Sequence, residues 1–254
     1  MKAVLYKIEA LTNMHVGSGD ANYGVIDNLV QRDVTNNLPT INGSSLKGAL
    51  REYFVSEDYN KLNDVFGHDD GNADYRFLSA NLLAIPMRSN KKEYFLATCP
   101  MVIAQFNENA KNFGNKANLD TFKDLNPATG KPIIFIDFNR SLLIEGFGGE
   151  NDSFEKKTKP ENCSILGDCE NLIILSNEDF ITQCNDFNLP VIARNKVGDN
   201  LWYEQVVPSK SLFYFTLLYI EKNFNTFNKI VEEGTIHIGA NATVGYGFTK
   251  ISKI

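Results

Sequence analysis

The sequence predicts an α+β fold, because two hydrophobic periodicities alternate along the chain. Residues 3–11 mix apolar and polar side chains with an aromatic and several branched residues, which is typical of a β-strand. From residue 44 the apolar residues recur at intervals of three and four, which predicts a helix of about three turns capped by Ser44 or Ser45. Strand and helix therefore follow each other at the start of the chain.

The middle of the chain predicts strands separated by polar segments. Strand candidates run over 75–86, 93–104 and 131–138. Residues 107–126 repeat Asn and Lys around spaced apolar residues, a pattern that fits either a helix or a partly ordered insertion. A second insertion, a solvated loop, is predicted over 148–164.

The last third predicts a helix and a hairpin. A short buried strand over 172–175 leads into a helix over 177–187, which Ser176 opens and acidic residues in its first turn support. Two extended runs, 191–197 and 201–207, surround a Gly-Asp-Asn sequence that is typical of a hairpin turn.

A central strand, a helix and a final strand pair complete the predicted order. The strand covers 211–220, the helix ends at Gly234, and the strand pair lies around 239–247. The frame is then β-α, several strands, α-β. That order is expected of a ferredoxin-like (RRM-like) fold with insertions, here in one domain over 1–254.

Composition narrows the class of protein. The chain has 254 residues, 43% hydrophobic and 22% charged, which is ordinary for a globular protein with a substantial core. No apolar run approaches the ~20 residues of a membrane span, and the first residues enter a strand pattern instead of a signal peptide. We expect a cytoplasmic protein without membrane contact. A net charge of -6 disfavours a free-standing nucleic-acid binder but allows a local basic groove.

The four cysteines lack the spacing of a zinc site. No Cys-x-x-Cys pair occurs, and the three histidines lie far from the cysteines in sequence. All four are therefore expected to be reduced thiols. They are Cys99, Cys163, Cys169 and Cys184.

The helix that begins near residue 44 carries a candidate anion site. Lys47 and Arg51 are four residues apart and share a face. A lysine in the first turn opposes the helix dipole unless an anion binds there, and the backbone N–H groups of 43–45 point to the same place. The commoner explanation of such a basic pair is a solvated helix face.

Two loops hold further polar candidates. Asp27 could bind a divalent ion or assist proton transfer beside a phosphodiester, although such an aspartate more often caps a turn, and Asp33 is almost as good a candidate. His15, just before Gly17, is either a packing residue or a proton donor to a leaving oxygen. The glycine-rich stretch 239–247 suits a tight loop laid against another backbone, RNA included.

Taken together, these segments resemble the RAMP proteins of type III CRISPR effectors. The resemblance rests on His-Val-Gly-Ser-Gly from residue 15, Gly-Val-Ile-Asp-Asn-Leu-Val-Gln-Arg-Asp from 24, and Leu-Pro-Thr-Ile-Asn-Gly-Ser-Ser-Leu-Lys-Gly-Ala-Leu-Arg from 38, with the late glycine-rich loop. Within these proteins, later segments are similar to the backbone subunits of the Cmr (III-B) complex. Those segments are 83–89, 97–100, 201–204 and 238–243.

The resemblance implies a ferredoxin-like palm with a projecting thumb hairpin, for which 188–207 is the candidate. It implies copies stacked as a helical filament along the CRISPR RNA (crRNA), with each thumb wedged into the duplex of guide and target. Each copy would offer one site that cleaves single-stranded target RNA. The implied partners are crRNA, target RNA, other Cmr subunits and further copies of the chain.

The resemblance also assigns the site. Asp27 falls on the catalytic aspartate, and His15 and Glu204 fall on positions associated with cleavage. The expected chemistry is attack of a ribose 2′-hydroxyl on the adjacent phosphate with a divalent ion, Mg²⁺ or Mn²⁺, held at Asp27 and with no organic cofactor. The residues expected to bind RNA are Arg32, Gly43, Ser44, Ser45, Lys47, Arg51, Gly239, Asn241, Gly245 and Gly247.

Two other functions stay open from the sequence. One is a structural filament protein that binds RNA while Asp27 merely caps a turn. The other is a crRNA-processing nuclease of the same superfamily, which would act alone on repeat RNA and would depend on a histidine.

Overall fold

The computed structural model describes residues 1–19, 24–67, 73–137, 142–148, 153–196 and 200–254. Within these ranges the helices are α1 (Gly43–Ser56), α2 (Leu62–Phe66), α3 (Pro100–Asn112), α4 (Asn177–Gln183) and α5 (Phe224–Glu233). The strands are β1 (Lys2–Ala10), β2 (Thr40–Ile41), β3 (Arg76–Phe77), β4 (Ala80–Arg88), β5 (Tyr94–Thr98), β6 (Ile133–Ile134), β7 (Leu143–Ile144), β8 (Phe147–Gly148), β9 (Glu155–Lys156), β10 (Leu172–Ile174), β11 (Val191–Lys196), β12 (Asn200–Gln205), β13 (Leu212–Tyr219), β14 (Thr235–His237) and β15 (Phe248–Lys253).

Most strands join one mixed sheet, in the order β14-β15-β1-β13-β4-β5-β10-β6-β9. β1 lies antiparallel between β13 and β15, whereas β10 runs parallel to β5. β13 is buried along nearly its whole length, as a strand covered on both faces must be. The predicted α+β class and the predicted central strand are both confirmed.

Aromatic rings hold the helices together beside this sheet. The Phe54 ring of α1 stacks on Phe227 of α5 with centroids 5.0 Å apart and meets Phe66 of α2 edge-on at 5.4 Å. Leu46 and Leu50 continue the buried face of α1. These positions repeat every four residues, so the helical period predicted from the sequence is confirmed, and the other side of α1 is left for polar residues.

The strand predicted over 93–104 is wrong beyond Thr98. β5 ends there, and Pro100 opens α3, because proline has no N–H and fits the first helical turn. Val102, Phe106 and Ala110 then recur four residues apart on the buried face. The segment 107–126 was predicted to be either a helix or a partly ordered insertion. Residues 107–112 are helical, because they continue α3.

Other predicted boundaries shift. The strand over 75–86 is divided into β3 and β4, and that over 131–138 is present only as β6. The helix over 177–187 ends at Gln183, but its predicted cap is confirmed, since the Asp179 N–H donates to the Ser176 Oγ at 3.1 Å.

The predicted last strand pair around 239–247 is present as β14 and β15, which flank this segment. The backbone of this segment has positive φ at Gly239 (99°), Asn241 (67°), Gly245 (83°) and Gly247 (74°), which no strand adopts. The segment is a compact loop, here called the glycine loop (238–247).

The cysteine prediction is wrong for two of the four residues. Cys163 and Cys169 form a disulfide, because the turn in which Leu166 and Gly167 donate to the Cys163 carbonyl brings the two Cα atoms to 5.4 Å. Cys99 and Cys184 are free and buried, as expected.

The predicted hairpin is confirmed. β11 and β12 pair antiparallel from Val191 opposite Gln205 to Lys196 opposite Asn200. Its predicted turn falls partly on 197–199, which lie outside the described residues, as do 149–152 of the predicted loop over 148–164. In the part of the chain that the structure describes, no helix is long and apolar enough to cross a membrane.

Phe54→Ala should lower the free energy of unfolding by about 3–5 kcal/mol, because it removes a fully buried ring from the contact of three helices. Denaturant unfolding followed by circular dichroism measures this. The neighbouring Val55→Ala is the control, since Val55 is 52% exposed and its loss should matter little. Equal effects of the two changes would contradict this packing.

Candidate functional site

Three consecutive residues of β12 bring the candidate catalytic side chains together. The Tyr203 N–H donates to Asp27 Oδ2 at 2.7 Å, and His15 Nδ1 donates to the Gln205 carbonyl at 2.7 Å. Between them, the backbone of Asn28 pairs with the strand. Its N–H donates to the Tyr203 carbonyl at 3.1 Å, and its carbonyl accepts from the Gln205 N–H at 2.9 Å. Glu204 lies between these two anchor points.

His15 is held in one orientation. It is 5% exposed, and because a carbonyl can only accept, the hydrogen on its ring must sit on Nδ1 when the ring is neutral. Nε2 is then the atom that can take or give a proton. Gly17 lies close beside it, since a Cβ at that position would lie 3.0 Å from Nε2 and would press on the ring.

Asp27 is exposed and is anchored to β12. The backbone N–H of Tyr203 makes a charge-assisted hydrogen bond to one carboxylate oxygen. Asp33, the rival candidate, is committed to a local turn, where its Oδ1 accepts from the Thr35 N–H at 2.8 Å.

Glu204 is buried and surrounded by donors. Trp202 Nε1 donates to Oε1 at 2.9 Å, while Arg194 Nε and Asn241 Nδ2 donate to Oε2 at 3.0 and 2.9 Å. Burial raises the pKa of this carboxyl, but the bonds from Trp202 and Arg194 and the nearby charges of His15 and Arg194 outweigh it, so its pKa lies below the ordinary value. Glu204 is therefore ionised at neutral pH.

The glycine loop lies directly against His15. The Ala240 N–H donates to the His15 carbonyl at 2.9 Å. A Cβ on Gly239 would lie 2.3 Å from the same carbonyl oxygen, so only glycine allows this approach. The sequence prediction of a tight loop against another backbone is confirmed for the chain's own backbone.

The amino end of α1 has the features expected of an anion site, but not the predicted cap. Asn42 occupies the cap position and its side chain makes no capping bond, whereas Ser44 and Ser45 lie inside the helix. The first turn holds no acidic residue. Lys47 is half-buried and Arg51 exposed, and neither makes a hydrogen bond or ion pair with the described residues.

A cavity of about 280 Å³ joins this helix end to the glycine loop. Gln31 and Ser45 line one side of it and Gly239 lines the other. Gln31 also fixes the geometry, because its Nε2 donates to the Gly17 carbonyl at 3.1 Å and to Ser45 Oγ at 3.0 Å. Two of the segments predicted to bind RNA therefore face one space.

Arg32 lies elsewhere and is used internally. Its side chain is 12% exposed, it pairs with Asp186 at 2.8 Å, and it donates to the Asn37 and Cys184 carbonyls at 2.7 and 2.8 Å. This geometry favours a structural role for Arg32, as a clamp between the 24–38 loop and the end of α4.

Several residues of the site were not singled out from the sequence. Arg194 and Trp202 flank Glu204 on one face of the hairpin, Tyr246 lies under the Arg194 guanidinium at 4.3 Å, and Gln31 and Gln205 are buried connectors. The alternation of β12 puts 202 and 204 on the same face, which is the one signal that could have identified Trp202.

No three His, Cys, Asp or Glu side chains converge as a metal-binding group within the described ranges. Asp27 is the exposed carboxylate of the site, and the Glu204 oxygens are occupied by three donors. A hard cation at Asp27 would thus complete its coordination with substrate phosphate and water, which is usual for Mg²⁺.

A family model of the RAMP superfamily matches residues 7–250, and the chain belongs to this superfamily. The chain is 28% identical to CRISPR system Cmr endoribonuclease Cmr4 of Pyrococcus furiosus, over 285 positions that cover 99% of this chain and 96% of that protein.

Solved structures show the same fold. The cryo-EM structure of type III-B Cmr-beta in the apo state superposes with a TM-score of 0.81 at 24% identity, covering 100% of this chain and 97% of the other. The crystal structure of oligomeric Cmr4 from Pyrococcus furiosus gives a TM-score of 0.74 at 25% identity, covering 100% and 98%.

Glu204→Gln should lower the free energy of unfolding by roughly 1–3 kcal/mol at neutral pH, because one of the donors around the carboxylate loses its acceptor. The folded-state pKa is depressed, so the stabilisation from ionised Glu204 is present above its unfolded value of about 4.3 and is lost as pH falls through the folded value. The deficit of the variant should therefore shrink in acid.

Denaturant unfolding at neutral pH and at about pH 3 measures this deficit. Glu221→Gln is the matched control, since its carboxylate is largely exposed and its pair with Lys2 should contribute little. A deficit of the same size at both pH values would show that the Glu204 charge is not what stabilises the site.

Proposed function

We propose that this chain is the crRNA-binding backbone subunit of a type III-B CRISPR RNA-silencing complex, and that it cleaves complementary target RNA at regular intervals. Membership of the RAMP superfamily and full-length similarity to a Cmr endoribonuclease support the assignment. The observation that carries it is that Tyr203 and Gln205, the two neighbours of Glu204 in β12, hold Asp27 and His15 through backbone groups.

The architecture suits this function. The sheet with its helices would form the ferredoxin-like palm, and the β11–β12 hairpin would be the thumb. The hairpin exposes the apolar side chains Val191, Leu201 and Tyr203, which are suited to pack against bases that a thumb separates, and the Tyr203 ring can stack on a base.

The crRNA would cross the cavity between α1 and the glycine loop. Lys47 and Arg51 lie on the same helix, make no ion pair with the described residues, and would offer positive charge to its phosphates. The net charge of -6 is compatible with this, because a filament of several copies multiplies modest contacts along one RNA.

Other Cmr subunits and further copies of the chain are the proposed protein partners, in the cytoplasm.

Cleavage would occur at Asp27 and His15. The reaction is attack of a ribose 2′-hydroxyl, which gives up its proton, on the neighbouring phosphate. A 2′,3′-cyclic phosphate forms while the bond to the 5′-oxygen of the next nucleotide breaks, and that oxygen leaves with a proton as a 5′-hydroxyl. The attacking oxygen, the phosphorus and the leaving oxygen must be held in line. His15, with its hydrogen fixed on Nδ1, presents Nε2 for proton exchange. Asp27 would orient the attacking group or hold Mg²⁺ or Mn²⁺, and a bound divalent ion would supply positive charge that stabilises the developing charge on the phosphate.

A structural filament protein without cleavage is the second candidate. One observation favours it, namely that Asp27 accepts a backbone N–H, as a carboxylate with a purely structural role would.

Asp27→Asn decides between these functions. Asparagine keeps an oxygen for the Tyr203 N–H but loses the charge, so we expect the complex assembled with crRNA to bind target RNA normally and to cut it about 10²–10⁴-fold more slowly with Mg²⁺ or Mn²⁺. Electrophoresis of end-labelled target RNA gives the rates, and the same gels give the spacing of the cuts.

Asp33→Asn is the matched control and should leave the cutting rate unchanged. Undiminished cutting by Asp27→Asn, with equal target binding, would leave this chain as a scaffold and place the chemistry on another residue or subunit.

Lys47→Ala with Arg51→Ala should weaken binding of RNA and lower its salt dependence. Two lost phosphate contacts reduce the slope of log K against log salt by about 1.4 for single-stranded RNA. Lys116→Ala with Lys123→Ala removes the same charge from exposed positions after α3 and should leave the slope nearly unchanged. Fluorescence anisotropy at several salt concentrations measures both, and equal slopes for the two double variants would contradict the proposed RNA path.

A further inference from the structure

We infer that Arg194 is a positioning residue for cleavage and that Glu204, which it binds, is its structural partner and does not act as a proton acceptor. This inference rests on the proposed function. The pair joins the hairpin to the glycine loop, and through these two segments it sets the positions of Asp27 and His15.

The surroundings of Glu204 argue against direct chemistry. Its side chain is 8% exposed, and its two oxygens receive three hydrogen bonds from protein groups. To reach RNA, the carboxylate would have to leave all three donors and its buried place. Its lowered pKa also makes it a weaker base than an ordinary glutamate.

Arg194 makes contacts that join separate parts of the chain. Its Nε donates to Glu204 across the hairpin, and its guanidinium lies over the Tyr246 ring of the glycine loop, with 4.3 Å between Cζ and the ring centroid. Asn241 of the same loop donates to the same Glu204 oxygen. The hairpin and the glycine loop are thus joined by two contacts, Arg194 with Tyr246 and Glu204 with Asn241, and the bond between Arg194 and Glu204 links the two.

The consequences reach both catalytic candidates. Ala240, next to Asn241, donates to the His15 carbonyl, while the two neighbours of Glu204 in β12 hold Asp27 and the His15 ring. If the anchor is lost, the loop can move away from His15 and the strand can move relative to Asp27. The Arg194 Nη2 is buried and has no hydrogen-bond partner within the described structure. The position of this side chain is therefore set by its contacts with Glu204 and Tyr246 and not by full hydrogen bonding of its guanidinium.

Hydrogen exchange of the isolated full chain tests the anchor without any catalysis. Arg194→Met should speed exchange of the Ala240 amide about tenfold and leave the amides of β1 unchanged. Asn241→Gly should act in the same direction, because glycine keeps the positive φ of 67° but removes the amide that binds Glu204. Arg88→Met is the control, since it breaks a surface pair with Glu145 that is remote in sequence from this site.

Single-turnover cleavage by the assembled complex tests the positioning role. At saturating target, Arg194→Met should cut about tenfold more slowly with target affinity unchanged, and Arg194→Lys should recover part of the rate. The loss should be the same factor across about pH 6–8, because no titrating group of the reaction is removed.

Three results would overturn the inference. They are an unchanged Ala240 exchange rate in Arg194→Met, an unchanged cleavage rate at saturating target, and a loss of rate that depends on pH, which would assign proton transfer to Glu204. A wild-type complex that does not cleave at all would instead overturn the proposed function, and the exchange result would still decide whether the anchor exists.

Discussion

The pairing of β12 with the segment around Asn28 is the contact on which the site depends. In β12, one backbone N–H binds Asp27 and one backbone carbonyl binds His15. The residue between these two groups, Glu204, binds Arg194 and Asn241 through its side chain. Because backbone groups hold both catalytic candidates, their relative position depends on the register of this strand and not on flexible side chains.

The rest of the fold supports that register. The central strand β13 pairs with β1 along its whole length, and the loop that carries His15 follows β1. The aromatic contact at Phe54 sets α1 against α5, and Gln31 ties the amino end of α1 to the Gly17 loop. The polar surface and the buried aromatic core are therefore adjacent faces of the same helix.

Periodicity predicted the elements that one pattern dominates, such as α1, the β11–β12 hairpin and the central strand β13. It failed at 100–104, where an apolar run fits strand and helix alike until Pro100 decides for a helix. The candidates Asp27, His15 and Glu204 are assigned by resemblance of their segments. Arg194 and Tyr246 were beyond prediction, because they lie 52 residues apart in sequence and meet only in the folded chain. The disulfide was missed for a related reason, since only the turn brings its cysteines together.

The most direct test is a cryo-EM structure of the assembled complex with crRNA and a target that carries 2′-deoxy nucleotides at the cleavage positions. This account predicts a target phosphate within about 3–5 Å of Asp27 in every copy of the chain, with Glu204 still bound to Arg194. A phosphate path that leaves Asp27 facing open solvent, or a Glu204 that has left Arg194 to contact the RNA, would contradict it.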